Sequence, residues 1–367
     1  MATNKIDLNS LDKSDWKTYR FDEIAQNISE RVDPNDTDLE VYVGLEHLDS
    51  ESLHITRHGS PDDVNGTKLR FYKGDIIFGR RRAYQRKAGI ATWDGFCSAH
   101  ALVLRANPEV IHPDLFPFFI HSDLFMNRAV DISVGSLSPT INWGTLKEQE
   151  FLIPPMSIQT DIKNLFLVLN KLVYTKTNYL QYLDILLDTV RDSGIKTLEG
   201  KLIELEKLIL PMSKIKVGKV EKNNYKESGK YPIIDQSQNF IAGYSDQKEL
   251  VYQGDLPVII FGDHSTTIKY VNFPFIMGAD GTKVIKPKVD INTKFLYHYL
   301  INLKLSPQGY RRHFSILKKQ KVKICNDTFS QEKLVRKLDI ISKQINISIN
   351  DLESSLQLQK VIINKVF

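Results

Sequence analysis

A run of cationic side chains follows the first strongly apolar segment of the chain. Between Asp75 and Asp94 there is no acidic residue, yet five arginines or lysines occur. Consecutive arginines cannot all be buried, because unpaired guanidinium groups pay a large desolvation cost. The run therefore predicts an exposed loop, and the planar fork of arginine suits phosphate oxygens and the major-groove edge of guanine. The candidate binding residues are Arg80, Arg81, Arg82, Tyr84, Gln85, Arg86 and Lys87.

A second polar loop occupies the matching place in the other half of the chain, after the apolar run 258–261. It is less basic, so the two halves would prefer different base patterns. A solvated loop or a protein contact is the alternative for either segment, and the presence of two matching loops favours binding. His264 lacks a second histidine or cysteine at ligand spacing, so it is not expected to hold a metal. The candidates here are Asp263, His264, Ser265, Thr266, Thr267 and Lys269.

The second half also contains a long stretch without acids. Residues 291–326 include eight lysines or arginines and no aspartate or glutamate. Such a stretch is the electrostatic footprint expected of a surface that contacts a phosphate backbone. The candidates are Arg311, Arg312, Lys318 and Lys319, and at the equivalent place in the first half they are Ser136, Ser138 and Lys147.

Motifs for catalysis are absent from the sequence. There is no glycine-rich phosphate loop with a lysine, no metal-binding carboxylate cluster and no Asn-Pro-Pro-aromatic motif of an amino methyltransferase. We therefore predict no catalytic residue, no metal and no cofactor for this chain. The two distant cysteines indicate a reducing compartment. No apolar run approaches the roughly 20 residues of a membrane helix, so we expect a cytoplasmic protein without membrane contact.

The elements that position these loops are repeated along the chain. Similar turn-and-strand segments at 73–79 and 253–262, and similar segments before short strands at 151–153 and 322–324, recur in the same order about 170 to 183 residues apart. With 367 residues and 42% hydrophobic composition, the chain can form two medium domains. The mixed strands and short helices of each half predict two similar α+β domains.

Each half ends in a long amphipathic pattern. Apolar residues alternate at steps of three and four from Ile162 to Val190 with only Lys176 polar, and a second such series runs from Leu334 to Val366 with Gln359 polar. These are heptad seams, and a helix over 158–191 would be about 50 Å long. We expect the two helices to pair antiparallel within one chain. Capping of each helix on its own domain, or dimerisation, are the alternatives.

Taken in order, these features resemble the specificity subunit of Type I restriction–modification enzymes. The residues that carry the resemblance are 15–17, 74–79, 97–104, 153–155, 261–264 and 278–282, together with the duplication and the two long helices. The segment 210–220, where we place the start of the second half, lacks the tryptophan that Trp16 supplies in the first.

The resemblance implies an architecture and partners. Two target-recognition domains, at 1–155 and 211–328, would each read half of a split, asymmetric site in double-stranded DNA. Spacer helices at 156–210 and 329–367 would separate them and scaffold two modification (methyltransferase) subunits, joined by a restriction/translocase subunit. S-adenosylmethionine and ATP would belong to those partners, so this chain would not be an enzyme. A stand-alone DNA methyltransferase or nuclease, and a coiled-coil scaffold that binds protein or RNA, remain the alternatives.

Overall fold

The chain folds into two compact units, which we describe separately. The computed structural model describes residues 11–211, 215, 217–279, 281–288, 291–307, 309, 312–325 and 327–367. Unit 1 comprises Met1–Thr177 and Asn350–Phe367, and unit 2 comprises Asn178–Ile349. Two helices, α5 (Met156–Thr197) and α9 (Thr328–Val366), contribute residues to both units.

Unit 1 combines three small sheets with short helices. Its strands are β1 (Lys17–Arg20), β2 (Ala25–Ile28), β3 (Arg31–Val32), β4 (Tyr42–Val43), β5 (Lys68–Phe71), β6 (Ile76–Gly79), β7 (Ala88–Ile90), β8 (Gly95–Cys97), β9 (Ala101–Ala106) and β10 (Glu150–Ile153). Its short helices are α1 (Phe21–Ile24), α2 (Phe116–Ile120), α3 (Asp123–Asp131) and α4 (Trp143–Leu146). The strand orders are β2-β9-β6-β7, β3-β5-β8-β4 and β1-β10.

Aromatic side chains form the centre of the unit 1 core. Phe21, Phe119 and Phe151 pack around Phe125, with ring centroids 5.2 to 5.7 Å from it. The end of α9 joins this core, because the ring of Phe367 lies 5.3 Å from that of Phe119. Packing of this kind fixes β6, whose buried residues lead directly into the arginine-rich loop.

Unit 2 contains the same types of element. Its strands are β11 (Lys201–Glu204), β12 (Lys219–Val220), β13 (Tyr231–Ile234), β14 (Gly243–Ser245), β15 (Val258–Gly262), β16 (Ile268–Val271), β17 (Ile276–Gly278), β18 (Thr282–Ile285) and β19 (Lys321–Ile324). Its short helices are α6 (Leu205–Leu208), α7 (Thr293–Asn302) and α8 (Phe314–Lys318). The strand orders are β12-β17-β13-β14, β16-β15-β18 and β11-β19.

The segment 194–210 contains the end of α5, the strand β11 and the short helix α6. Helix α5 continues to Thr197, and Lys201–Glu204 then forms a strand that pairs antiparallel with Lys321–Ile324. In unit 1, Lys17–Arg20 pairs in the same way with Glu150–Ile153. The counterpart of Trp16 is therefore Gly200 and does not lie in 210–220. A Cβ at Gly200 would come within 2.3 Å of the Ile324 carbonyl oxygen, which leaves no room for a tryptophan.

The long helices run antiparallel where they meet within each unit. In unit 1, the ring of Phe166 lies 6.5 Å from that of Phe367, whereas Lys176 Nζ lies 2.7 Å from Asp351 Oδ1. In unit 2, Gly194 packs against the side chain of Leu334. The residue numbers rise along α5 as they fall along α9. The predicted fold of two similar α+β domains with two long antiparallel helices is confirmed.

The heptad seam is only partly buried. Ile162, Leu169 and Leu183 are buried. Leu172, Tyr179 and Leu186 belong to the same predicted seam, yet each is 40% or more exposed. A helix that packs on one neighbour covers a single stripe of its surface, so apolar residues outside this stripe remain accessible.

Candidate nucleic-acid interface

The arginine loop of unit 1 is held by backbone hydrogen bonds to two other segments. The N–H of Arg80 donates to the His100 carbonyl at 3.2 Å, and the N–H of Arg82 donates to the Pro139 carbonyl at 2.7 Å. Arg82 and Arg86 flank a 3-10 turn at Ala83–Gln85, and both adopt the left-handed backbone region, with φ of 55° and 49°. Non-glycine residues rarely adopt this conformation, and they do so most often at functional sites.

Three side chains of this loop extend into solvent. Arg81 and Arg82 are exposed, and Tyr84 is 56% exposed. Beside them lies a cleft of about 380 Å³. It is lined by Leu45, Glu46, Arg81, Arg82, Gln85, Lys87, His100 and Ser138. Cations, an amide and a hydroxyl thus converge on one concave surface, a donor set that can bond phosphates and base edges.

Two further residues of this loop bond groups within unit 1. Arg86 forms ion pairs with Asp123 and, at 3.3 Å, with Glu51. Lys87 donates from Nζ to the Leu45 carbonyl at 2.8 Å. These ion pairs hold the Arg86 guanidinium against unit 1, and its contact with a ligand stays a prediction. Lys87 stays in the cleft wall with its ammonium group already bonded.

Several cationic residues of this surface were missed by the sequence reasoning. A second cleft of about 430 Å³ is lined in part by Arg31, Lys68 and Arg80. His100 lines the first cleft, with its Nε2 3.2 Å from Arg81 Nη1. Desolvation, reinforced by the positive charges of Arg81, Arg80 and Lys68, lowers the pKa of His100. No local pattern marks Arg31, Lys68 or His100, which the fold gathers from separate strands and loops.

The polar residues predicted near 136–147 are divided between two places. Ser138 lines the first cleft, and Ser136 is exposed in the same hairpin loop. Lys147 follows α4, and its Nζ lies 3.6 Å from Glu148 Oε1. The hairpin is therefore part of the candidate interface, whereas the position of Lys147 gives no direct support for a contact there.

The polar loop of unit 2 contains two residues that fold inward. Asp263 is buried, and its Oδ1 accepts a 2.8 Å hydrogen bond from the N–H of Phe314. Lys269 is also buried, and its Nζ donates to the carbonyls of Asp235 and Asn239. Buried charges with such partners stabilise loops rather than contact a ligand. Asp263 and Lys269 thus have partners within unit 2, and their contact with a ligand stays a prediction.

The remaining residues of that loop form a compact polar surface. Ser265 Oγ and Thr267 Oγ1 lie 2.8 Å apart, and Thr267 Oγ1 also donates to the Gln236 carbonyl. The N–H of His264 donates to Gln236 Oε1 at 3.2 Å. Thr266 has a φ of 58°. Gln236, which the sequence reasoning missed, thus supports the loop and is itself partly exposed.

The acid-free stretch of unit 2 contributes fewer free cations than its sequence suggests. Arg312 and Lys319 are exposed, whereas Lys318 Nζ lies 2.6 Å from Glu206 Oε1. Arg311 lies outside the described residues. Among the residues that are described, Arg312 and Lys319 are the strongest candidates of this group for phosphate contacts.

Neither a metal-ligand cluster nor a membrane-spanning helix is found among the described residues. Within them, no group of three or more histidine, cysteine, aspartate or glutamate side chains is arranged to hold a metal ion. The helices of the described part of the chain also lack the combination of length and apolar character that a membrane crossing requires.

The fold places this chain in a class of proteins with two similar α+β units that share two long helices. Two solved structures share this fold. The S subunit of a Type I restriction–modification system from M. genitalium has a TM-score of 0.58 and 15% identity, and the match covers 100% of this chain and 98% of that one. A chain of another type I system has a TM-score of 0.56 and 17% identity, and the match covers 95% of this chain and 97% of that one.

Sequence comparisons agree with the fold. Residues 13–178 match the Type I restriction modification DNA specificity domain. The EcoDI specificity subunit of Escherichia coli is 28% identical over 151 residues, which are 41% of this chain and 33% of that protein. The EcoR124I/EcoR124II specificity subunit of the same species is 31% identical over 87 residues, 23% and 22% of the two chains. The matches thus span a third or less of each curated relative. In sequence over residues 13–178, and in fold over the described chain, the protein is similar to specificity subunits of Type I restriction–modification systems.

Proposed function

We propose that this chain is the DNA-recognition subunit of a Type I restriction–modification complex and reads a bipartite, asymmetric target. The observation that carries the proposal is the pair of clefts in unit 1, where Arg31, Lys68, Arg80, Arg81 and Arg82 converge. Clustered cations of this kind bind phosphates in a salt-sensitive manner. Because unit 2 presents hydroxyls and amides in its loop, it would read a different base pattern.

Base reading in unit 1 would depend mainly on Arg81, Arg82 and Gln85. Arginine can donate two parallel hydrogen bonds to guanine O6 and N7, and glutamine can pair with adenine in a similar way. Arg31, Lys68 and Arg80 would contact the phosphates and fix the register. In unit 2, Ser265, Thr266 and His264 would contact bases while Arg312 and Lys319 contact phosphates.

The exposed apolar faces of the long helices would bind the modification subunits. In unit 1, exposed apolar side chains of these helices include Val168, Leu172, Leu356, Leu358 and Val361. In unit 2, they include Tyr179, Tyr182, Ile185, Leu186, Ile340 and Ile347. Exposed apolar surface of this extent marks protein interfaces. The presence of such a surface in each unit fits two copies of the methyltransferase, and a restriction/translocase subunit would join that assembly.

The chemistry would belong to those partners. S-adenosylmethionine and ATP would bind the methyltransferase and translocase subunits, and this chain would supply recognition alone. The continuous helices α5 and α9 would set the spacer between the two half-sites.

A reconstitution experiment tests this function. The chain is purified alone and with its methyltransferase subunits, and the DNA target is taken from methylome sequencing of the host. We expect tight, target-specific duplex binding and methylation by the complex, and no turnover by the chain alone with S-adenosylmethionine or magnesium. Turnover by the isolated chain would favour a stand-alone enzyme. Preference of the complex for RNA, or absence of duplex binding, would favour a protein- or RNA-binding scaffold.

A further inference from the structure

A leucine at the tip of a hairpin in unit 1 is almost completely exposed. Val134 and Thr140 exchange two backbone hydrogen bonds, of 3.1 and 2.9 Å, which close a loop of residues 135–139. Leu137 is the central residue of this loop, and it is 94% exposed. Single exposed leucines are common on protein surfaces, so exposure alone assigns no role. The way the hairpin is held and the groups around its tip carry the inference.

The backbone of the hairpin is tied to the arginine loop. The N–H of Arg82 donates to the Pro139 carbonyl at 2.7 Å, and the N–H of Ile141 donates to the Arg80 carbonyl at 2.9 Å. Thr140 Oγ1 donates to the Ser138 carbonyl at 3.1 Å. Gly135 makes the turn with a φ of 113°. Because these bonds restrict the loop before any ligand binds, insertion of its side chain would cost little further backbone entropy.

The groups around the tip are cationic or hydroxylic. Ser138, two residues before Thr140, lines the same cleft as Arg81 and Arg82. No acidic residue occurs between Asp131 and Glu148. An apolar protein surface that covered Leu137 would also have to desolvate these arginines, at a large cost. Duplex DNA offers phosphates for the cations and an apolar base stack for the leucine, so it is the partner that fits both.

We propose that Leu137 is a wedge that enters between two adjacent base pairs of the DNA bound by unit 1 and unstacks them. This inference rests on the proposed function and adds a second means of recognition to it. Apolar side chains such as leucine act in this way in several DNA-bending proteins. Pyrimidine–purine steps unstack most readily, so the wedge selects such a step without any hydrogen bond to a base. In unit 2, residues 308, 310 and 311 lie outside the described part of the chain, and the proposal concerns unit 1 alone.

The test uses the full chain in complex with its methyltransferase subunits. The fluorescent base 2-aminopurine is placed in turn at each step of the half-site that unit 1 reads. We expect binding of the wild-type complex to raise the 2-aminopurine fluorescence at one step by about threefold, because unstacking relieves the quenching of this base. The variant Leu137→Ala should abolish this rise and weaken DNA binding about tenfold. Leu137→Met, which keeps an apolar side chain of similar volume, retains the fluorescence rise and the wild-type affinity. The control is Leu202→Ala, at a leucine that is 59% exposed on β11, and it changes neither.

The outcomes separate the wedge from the function on which it rests. If the wild-type complex binds its duplex tightly without any rise, or if Leu137→Ala keeps the rise, the wedge is overturned and the recognition function stands. A third outcome is that Leu137→Ala loses the methyltransferase subunits during purification, while the fraction that stays assembled shows the same fluorescence rise as the wild type. In that case Leu137 contacts protein and the wedge is overturned. If the wild-type complex binds no duplex at all, both proposals fail.

Discussion

The backbone N–H of Ile141 donates a 2.9 Å hydrogen bond to the carbonyl of Arg80 and joins the arginine loop to the segment before α4. In unit 2, the N–H of His313 donates to the carbonyl of Asp263 at the same distance, before α8. Arg80 and Asp263 are the first residues after the buried strands β6 and β15. Each unit therefore builds its candidate interface on the same backbone frame and attaches different side chains to it.

Replacement of Arg81 by alanine should impair the reading of one half-site only. The Arg81 side chain is exposed, with Nη1 3.2 Å from His100 Nε2, and we expect its guanidinium to form a two-bond contact with a base. We expect a loss of about 1–3 kcal/mol, or roughly 5- to 150-fold in affinity. Binding is measured by titration with targets altered separately in each half. The control is Arg20→Ala, because Arg20 pairs with Asp22 and Glu148 instead. Equal sensitivity of the variant to changes in both halves would contradict the assignment.

Loss of an exposed cation should reduce the salt dependence of binding. Arg31→Gln in unit 1 and Lys319→Gln in unit 2 each remove a charge from an exposed side chain. If each contacts one phosphate, the slope of log K against log salt should become shallower by about 0.9 per substitution. The slope is measured by fluorescence anisotropy between low and physiological salt. Arg336→Gln, on an exposed arginine of α9 that pairs with Glu332, should leave the slope unchanged; an equal change in that control would point to a general charge effect.

Longer helices should change the spacer between the half-sites. Insertion of seven residues after Lys176 in α5, with a matching insertion before Asp351 in α9, lengthens each helix by about 10 Å. The partners Lys176 and Asp351, 2.7 Å apart, keep their pairing in this design. We expect the preferred spacer to grow by about three base pairs, since each adds about 3.4 Å. Binding is measured with targets of graded spacer length. An unchanged preference would show that the helices do not set the spacer.

Acidification should destabilise unit 2 through His298. This residue is 4% exposed, and neither of its ring nitrogens has a hydrogen-bond partner among the described residues. Burial, with a smaller effect from the positive charge of Arg191, lowers its pKa to about 4. The unfolded chain therefore binds a proton at higher pH than the folded chain. The contribution of neutral His298 to the free energy of unfolding is fully present above a pH of about 6.5. It is lost as the pH decreases towards 4, and the loss is about 2 kcal/mol at pH 5.

The variant His298→Phe should remove this contribution. The ring of Tyr297 lies 5.0 Å away, so an aromatic replacement can keep the packing. Between pH 7.5 and pH 5, the free energy of unfolding measured in urea should decrease by about 2 kcal/mol less in the variant than in the wild type. A residual loss will persist, because burial also lowers the pKa of His121 in unit 1 to about 4. Identical pH dependence in the two proteins would mean that His298 does not titrate in this range.

The sequence predicted correctly those strands and helices whose conformation is set by residues close to them along the chain. The strands β10 and β19 and the two long helices follow from local apolar patterns, because the spacing of apolar residues indicates the type of element within a short window. The strand β11 was missed, since its apolar residues fit a helical pattern equally well and only its pairing with β19 decides the conformation.

In the candidate interface, too, some features follow from the sequence and others only from the tertiary structure. The sequence by itself determined the duplication, the family resemblance and the position of an exposed arginine loop, because these follow from residue types and their order. Only the tertiary structure decided which groups these side chains meet: Arg86 and Lys269 find partners distant in sequence, whereas Arg31, Lys68 and His100 are brought near Arg80 and Arg81 from separate segments. The physical reason is that a charged side chain bonds the nearest acceptor in space, and that distance is set by the fold.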